Sequence, residues 1–168
     1  MKITVEVVWF AEGLKARLYS VRLPGQTAPE TVRFFNRMSA HPSYESDTRF
    51  ASALRTLLDW LDRIIRLEGA LLRFFRPGEG QGHALPIDKG PLRLYCYRLD
   101  DRNLLVCGGG IKASQTVQES PDCLPHFNLM NCVVKALRRR HIGPERLPQD
   151  ASQAYLLEIE IPDDEHPG

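Results

Sequence analysis

The residues with the clearest chemical potential lie at positions 92–112, in the stretch LRLYCYRLDDRNLLVCGGGIK. Guanidinium and phenol groups alternate with apolar side chains in the first half of this stretch, and the second half ends in a lysine. Three glycines precede that lysine, and glycines in or just after a strand permit a bulge or the close approach of another backbone. The candidate site residues of this stretch are Arg93, Tyr95, Tyr97, Arg98, Gly109, Gly110 and Lys112.

The alternation in this stretch predicts two strands joined by a tight turn. Leu92, Leu94 and Cys96 fall on one face of the first strand. The residues between them carry polar groups, which is typical of a face in contact with solvent. Polar residues at 100–103 predict the turn, and the apolar run at 104–107 predicts a central strand buried on both faces.

Three other patterns have weaker chemical interpretations. The glycine run is not followed by Gly-Lys-Ser or Gly-Lys-Thr, so a phosphate-binding loop is disfavoured. His83 lies in a loop and has the side chain of a general base at neutral pH, but most such histidines are ordinary surface residues. The basic run at 138–140 could meet RNA phosphates, although a solvated last turn of a helix explains it equally well.

The composition of the chain limits the classes of function that it can have. Its 168 residues suffice for a single domain, 1–168, and the 22 basic and 21 acidic residues nearly cancel. This balance argues against a protein that coats nucleic acid over its whole surface, although a local basic face remains compatible with it. The four cysteines show no C-x-x-C spacing, which disfavours a zinc site. Without a signal peptide or a run of ~20 apolar residues, we expect a cytoplasmic protein with no membrane span, no metal and no cofactor.

The other elements follow from similar patterning, and the expected fold class is α+β. An antiparallel sheet should carry its helices on one face, because strands and helices occur in separate runs. The longest helix has apolar residues at spacings of three and four, and Gly69 ends it. The predicted elements are strands at 3–10 and 14–23 that form a hairpin, a short helix from 27 or 28, a helix at 47–68, a strand at 71–75, a helix from 125 or 126 to about 141, an edge strand at 154–161 and a disordered tail at 163–168.

This order of elements, with the stretch LLVCGGGIKASQTVQESP at 104–121, resembles the RelE/ParE toxin superfamily and within it the phage-derived Gp49-like and HigB-like branch. The resemblance covers roughly residues 47–137 and implies a RelE-like sheet with a core at about 47–141. On that reading the N-terminal hairpin at 1–23 is an addition to the family fold.

The resemblance implies the toxin of a toxin–antitoxin system, which cleaves mRNA on the ribosome without a metal. Such an endoribonuclease aligns a 2′-hydroxyl with its neighbouring phosphate and stabilises the transition state with cations. Lys112, Arg93 and Tyr95 are the implied catalytic residues. The implied RNA-binding residues are Tyr97, Arg98, Gln115, Gln118, Gly109 and Gly110. The implied partners are a cognate antitoxin, the ribosome and mRNA.

The alternative is a non-catalytic binding module on the same fold, which inhibits a protein target or acts in a regulatory complex. The near-neutral charge and the apparent additional hairpin are the features that depart from the basic, compact RNase pattern. Convergence of the arginine, tyrosine and lysine on one face would favour the RNase, and their dispersal would favour the binding module.

Overall fold

The computed structural model of the chain describes residues 1–75, 83–84, 90–113 and 120–162, with the backbone alone at 83–84. The predicted tail at 163–168 therefore lies outside the described residues, as do Gln115 and Gln118. The strands are β1 Lys2–Glu12, β2 Arg17–Arg22, β3 His83–Ala84, β4 Leu92–Asp100, β5 Asn103–Ile111 and β6 Ala154–Glu160. The helices are α1 Glu30–Ser39, α2 Ser43–Ser46, α3 Thr48–Arg63 and α4 Leu124–Arg139.

The α+β class is confirmed, but the sheet is mixed and not antiparallel. Its strand order is β3-β4-β5-β2-β1-β6. The hairpins β1–β2 and β4–β5 are each antiparallel, whereas β2 and β5 run parallel to each other. Parallel neighbours need a long crossover connection, and here the crossover contains α1, α2 and α3. The two N-terminal strands thus lie inside the sheet, between β5 and β6.

Helices cover both faces of the central strands, so the prediction of helices on one face is wrong. Residues 18–21 of β2 and 104–110 of β5 are all buried. Because successive side chains of a strand point to opposite faces, such a run requires cover on both sides. α4 contacts β4, β5 and β6, while α1 contacts β2 and β5, and α3 contacts β4 and α1. β6 alternates between exposed and buried residues, as predicted for an edge strand.

The long helix predicted at 47–68 is confirmed as α3 and a π-helical turn at Ile64–Glu68. The Asp47 carboxylate caps it by accepting a hydrogen bond from the Arg49 backbone N–H at 2.9 Å. Gly69 ends it with φ of 81°, a conformation that favours glycine. Leu61 is 5% exposed, whereas Leu58, which the helical pattern assigns to the same buried face, is 50% exposed.

The strand predicted at 71–75 is wrong, because Leu72–Phe74 forms a turn of 3₁₀ helix. Leu72 is 68% exposed, and the Phe74 ring lies 5.3 Å from the Trp60 ring of α3. Packing against the helix therefore determines this segment, and strand propensity does not.

The helix predicted from 125 or 126 to about 141 is confirmed as α4, whose apolar residues form one buried face: Phe127, Met130, Val133, Val134 and Leu137. Pro125 lies in its first turn, where the missing N–H has no helical partner to lose. Among the helices that the structure describes, none is both long enough and apolar enough to span a bilayer.

We predict that Leu61→Asp unfolds the domain, because it buries an unpaired carboxylate beneath α3. The expected loss is about 3–5 kcal/mol, a large share of the stability of a domain of this size. Leu58→Asp is the matched control, since its side chain reaches solvent. Urea unfolding followed by circular dichroism measures both variants, and equal stabilities would contradict the packing described for α3.

Candidate functional site

The glycine run of β5 lies where the sheet loses a strand neighbour. β2 pairs with β5 only at Asn103, Leu104 and Leu105. Beyond that point the two strands separate, and the side of β5 that faced β2 has no further strand partner in the described sheet. Unpaired backbone groups at a buried edge are costly, so other parts of the chain must satisfy them.

Thr31, the second residue of α1, fills the position where β2 and β5 separate. Its hydroxyl lies 2.9 Å from the carbonyl oxygens of both Val106 and Cys107 and can donate to either. The same oxygen lies 2.7 Å from the hydroxyl of Ser20 on β2. Thr31 and Ser20 are both fully buried, so this bridge joins the two strands where backbone pairing stops.

Two charged side chains close the remainder of the β5 edge. Arg37 of α1 donates from Nη2 to the Gly109 carbonyl oxygen at 2.6 Å. Asp122, just before α4, accepts from the Ile111 backbone N–H at 2.7 Å. These two residues also pair with each other, with 2.8 Å between Arg37 Nη1 and Asp122 Oδ1.

The start of α4 covers the glycines themselves. A methyl carbon added at Gly108 would lie 2.7 Å from His126 Nδ1, and one at Gly110 would lie 2.3 Å from the Asp122 carbonyl oxygen. One at Gly109 would lie 1.8 Å from the Arg93 carbonyl oxygen. Contacts within this chain therefore require the glycines. At Gly108 and Gly110 the start of α4 occupies the space in which another backbone, such as that of RNA, could have approached.

Of the three residues expected to be catalytic, Tyr95 forms a hydrogen bond with Cys123, which precedes α4. Burial raises the pKa of the Cys123 thiol, while the hydrogen bond with Tyr95 and the charges of Arg93 and Lys112 act in the opposite direction. Tyr95 is only 5% exposed, and its ring meets the Phe127 ring edge-on at a centroid distance of 5.5 Å. The polar face expected for β4 is thus covered by α4 at Tyr95.

The two cations of this group are half-buried and differ in their contacts. Arg93 donates from Nη1 to the carbonyl oxygens of Gly90 and Leu92, each at 2.8 Å. Lys112 is held through its backbone N–H, which donates to the Pro91 carbonyl oxygen at 2.6 Å. Both cations therefore lie at the end of the β4–β5 hairpin that is remote from its turn.

Tyr97 and Arg98, expected to bind RNA, lie farther along β4 towards that turn. Tyr97 is half-buried against the core. Arg98 donates from Nε to the Ala70 carbonyl oxygen at 2.7 Å and pairs with Asp101. These contacts tie the segment just after Gly69 to the hairpin turn, so Arg98 has a structural role at a distance from Lys112.

A second cluster adjoins the glycines, and the sequence interpretation did not identify it. Glu30 begins α1 and its side chain is 6% exposed, with Oε2 3.7 Å from His126 Nδ1. Burial raises the pKa of the Glu30 carboxyl, but the contact with His126 and the contributions of Gln26 and Arg33 outweigh it and lower the pKa from its usual value. Arg37 Nη2 lies 3.4 Å from His126 Nε2.

The available sequence signal for this cluster was weak. Neither residue belongs to a motif, since Glu30 lies at the start of one helix and His126 in the first turn of another. Their contact joins residues far apart in the chain, which periodicity does not reveal. Within the described part of the chain, no group of three or more histidines, cysteines or acids is placed to hold a metal ion.

Comparison of the chain with protein-family models, with curated proteins and with solved structures finds no match.

We predict that Gly110→Ala destabilises the protein, by about 1–3 kcal/mol or more, because the new methyl group meets the backbone of Asp122. Gly143→Ala is the control. Its methyl group would lie 2.4 Å from Glu145 Oε2, which belongs to an exposed side chain that can rotate away. Urea unfolding of both variants provides the comparison, and a Gly110→Ala protein as stable as Gly143→Ala would contradict the close approach of α4.

Proposed function

We propose that this protein is a metal-independent endoribonuclease and the toxin of a toxin–antitoxin pair, acting on mRNA at the ribosome in the cytoplasm. The observation that carries the proposal is the position of Arg93 and Lys112 at the same end of the β4–β5 hairpin, where Leu92 pairs with Ile111 and the Lys112 backbone N–H donates to the Pro91 carbonyl oxygen. The resemblance of residues 47–137 to the RelE/ParE superfamily supplies the class of reaction.

Cleavage of RNA through its own 2′-hydroxyl needs alignment of the nucleophile and stabilisation of charge on the phosphate. Lys112 and Arg93 supply positive charge on neighbouring strand ends. Each such contact typically contributes about 3 kcal/mol in the transition state, or roughly a hundredfold in rate. Tyr95 is buried, so in this proposal it positions the site through Cys123 and Phe127 and does not stack a base.

One observation favours the alternative of a non-catalytic binding module. The start of α4 covers Tyr95 and the glycines, which leaves a smaller open surface for RNA than the sequence suggested. In that alternative the half-exposed cations recognise a protein target. Both versions expect a cognate antitoxin whose acidic residues cover the same cationic surface.

We predict that induced expression of the wild-type chain in a bacterial host stops growth and cleaves mRNA. Lys112→Ala or Arg93→Ala should each relieve the arrest and lower cleavage roughly a hundredfold, since each removes a cation from the phosphate. Lys135→Ala is the control, because Lys135 is an exposed lysine on α4 more than two turns beyond its start. Growth, mRNA integrity and the soluble yield of each variant are followed together.

The outcomes separate the two functions. Arrest with intact mRNA would favour the binding module over the nuclease. Absence of arrest, with folded wild-type protein in the cell, would contradict the toxin assignment itself.

A further inference from the structure

We infer that one end of this protein binds the surface of a bilayer with anionic headgroups, through exposed leucines and the cations beside them. This end, called the turn end, comprises residues 12–17, 64–73 and 100–103. The inference does not rest on the proposed nuclease, because Arg93 and Lys112 lie at the opposite end of the β4–β5 hairpin. The nine residues of β5 separate the two ends by about 25–30 Å.

Backbone hydrogen bonds hold the three segments of the turn end together. The Lys15 N–H donates to the Ile65 carbonyl oxygen at 2.8 Å, which joins the β1–β2 turn to the π-helical turn after α3. The Ala70 N–H donates to the Asp101 carbonyl oxygen at 2.7 Å, which joins the same region to the β4–β5 turn. The side chains of all three segments therefore lie at one end of the molecule.

The turn end carries three strongly exposed leucines. Leu14 is 84% exposed, Leu67 is 60% exposed and Leu72 is 68% exposed. A single exposed leucine is ordinary in a soluble fold, whereas several at one end of a molecule mark an interaction surface. The leucines of the turn end are thus candidates for insertion into an apolar phase.

Each of these leucines is next in sequence to a cation, and the three cations are Lys15, Arg66 and Arg73. Lys15, Arg73 and Arg102 form no ion pair in the part of the chain that the structure describes. The Arg73 guanidinium instead lies over the Phe74 ring, 5.1 Å from its centroid. The long apolar stems of lysine and arginine can lie beside an inserted leucine while the charged group stays at the headgroups.

The acids of the turn end do not cancel these charges. Three of them form ion pairs: Glu12 with Arg17, Glu68 with Arg63, and Asp101 with Arg98. The remaining acid, Asp100, accepts a hydrogen bond from the Arg102 backbone N–H at 2.8 Å. The unpaired cations therefore outnumber the unpaired acid, although the whole chain has a net charge of only +1. A local positive excess of this kind is attracted to anionic lipid.

An open cavity of about 240 Å³ adjoins Leu14 between the two hairpin turns. Lys15 and Arg102 contribute to its lining, together with Arg17 and Glu12, which neutralise each other. A lipid phosphate in this cavity meets two cations that have no acid in contact.

The combination of leucines and cations favours a bilayer over other partners. RNA phosphates would account for the cations, but they offer the leucines no apolar environment. A protein partner needs a matching shape, whereas a bilayer accepts side chains that project separately from different turns. Insertion at the turn end also leaves Arg93 and Lys112 facing away from the lipid.

The test is sedimentation of the full-length protein with vesicles of phosphatidylcholine that contain about one-third phosphatidylglycerol, an anionic lipid. We expect the wild-type protein to bind these vesicles, to bind pure phosphatidylcholine far more weakly, and to dissociate as added salt screens the charges. Leu14→Ser should weaken binding about tenfold or more, because it removes an inserted apolar side chain. Lys15→Ala combined with Arg102→Ala should weaken it about twentyfold to thirtyfold, at roughly fivefold for each cation.

Two controls match these variants in chemistry and differ in position. Leu156→Ser removes a leucine that is 66% exposed but lies on the edge strand β6. Arg49→Ala combined with Arg55→Ala removes two exposed arginines from the first half of α3. Both controls should bind the anionic vesicles nearly as well as the wild-type protein. All four variants change exposed side chains, so circular dichroism should show each of them folded.

Several outcomes would overturn the inference. The first is a wild-type protein that does not sediment with the anionic vesicles, and the second is a Leu14→Ser protein that binds as well as wild type. The third is a Leu156→Ser protein that loses as much binding as Leu14→Ser. Self-association without vesicles that Leu14→Ser abolishes would assign the leucines to a second copy of this chain and would also overturn it. None of these results bears on mRNA cleavage, which is assayed without vesicles.

Discussion

The buried hydroxyl of Thr31 is the interaction on which the arrangement of this protein depends. It lies at the point where β2 and β5 stop pairing, within 2.9 Å of two carbonyl oxygens of β5 and 2.7 Å of the Ser20 hydroxyl. Its one proton can be donated to either of these carbonyls, and leaving a buried polar group of this kind unsatisfied typically costs about 1–3 kcal/mol. The two hairpins of the sheet are therefore joined by three pairs of strand residues and by the first turn of a helix.

The hydrogen bonds of Thr31 also determine the geometry of the candidate site. They fix the start of α1, so Glu30 faces His126 and Arg37 reaches Gly109, and both contacts lie along the open edge of β5. The start of α4 then packs on Gly108 and Gly110, and Asp122 closes the end of the strand. Edge closure and the cluster of Glu30, Arg37 and His126 thus share residues, and we expect changes to one to affect the other.

Local sequence patterns predicted the elements well, because period-two and period-3.6 spacing depend on neighbouring residues. Both hairpins and the helices α3 and α4 follow from them. The parallel contact of β2 with β5 does not, since nothing local to either hairpin specifies how two hairpins meet. The burial of Tyr95 could not be predicted for a related reason. Alternation shows which face of the sheet a side chain is on, but it does not show whether a helix such as α4 covers that face. The pairing of Glu30 with His126 depends on that same tertiary packing.

The free energy of unfolding of Thr31→Val, compared with Thr56→Val, tests the central claim most directly. The two substitutions are nearly isosteric, and Thr56 also donates to a carbonyl oxygen, that of Ser52 at 2.8 Å, but from the exposed side of α3. We expect Thr31→Val to lose about 1–3 kcal/mol in urea unfolding and Thr56→Val to lose little, because only the first leaves buried polar groups unpaired. Equal stabilities of the two variants would contradict the claim that Thr31 holds the two halves of the sheet together.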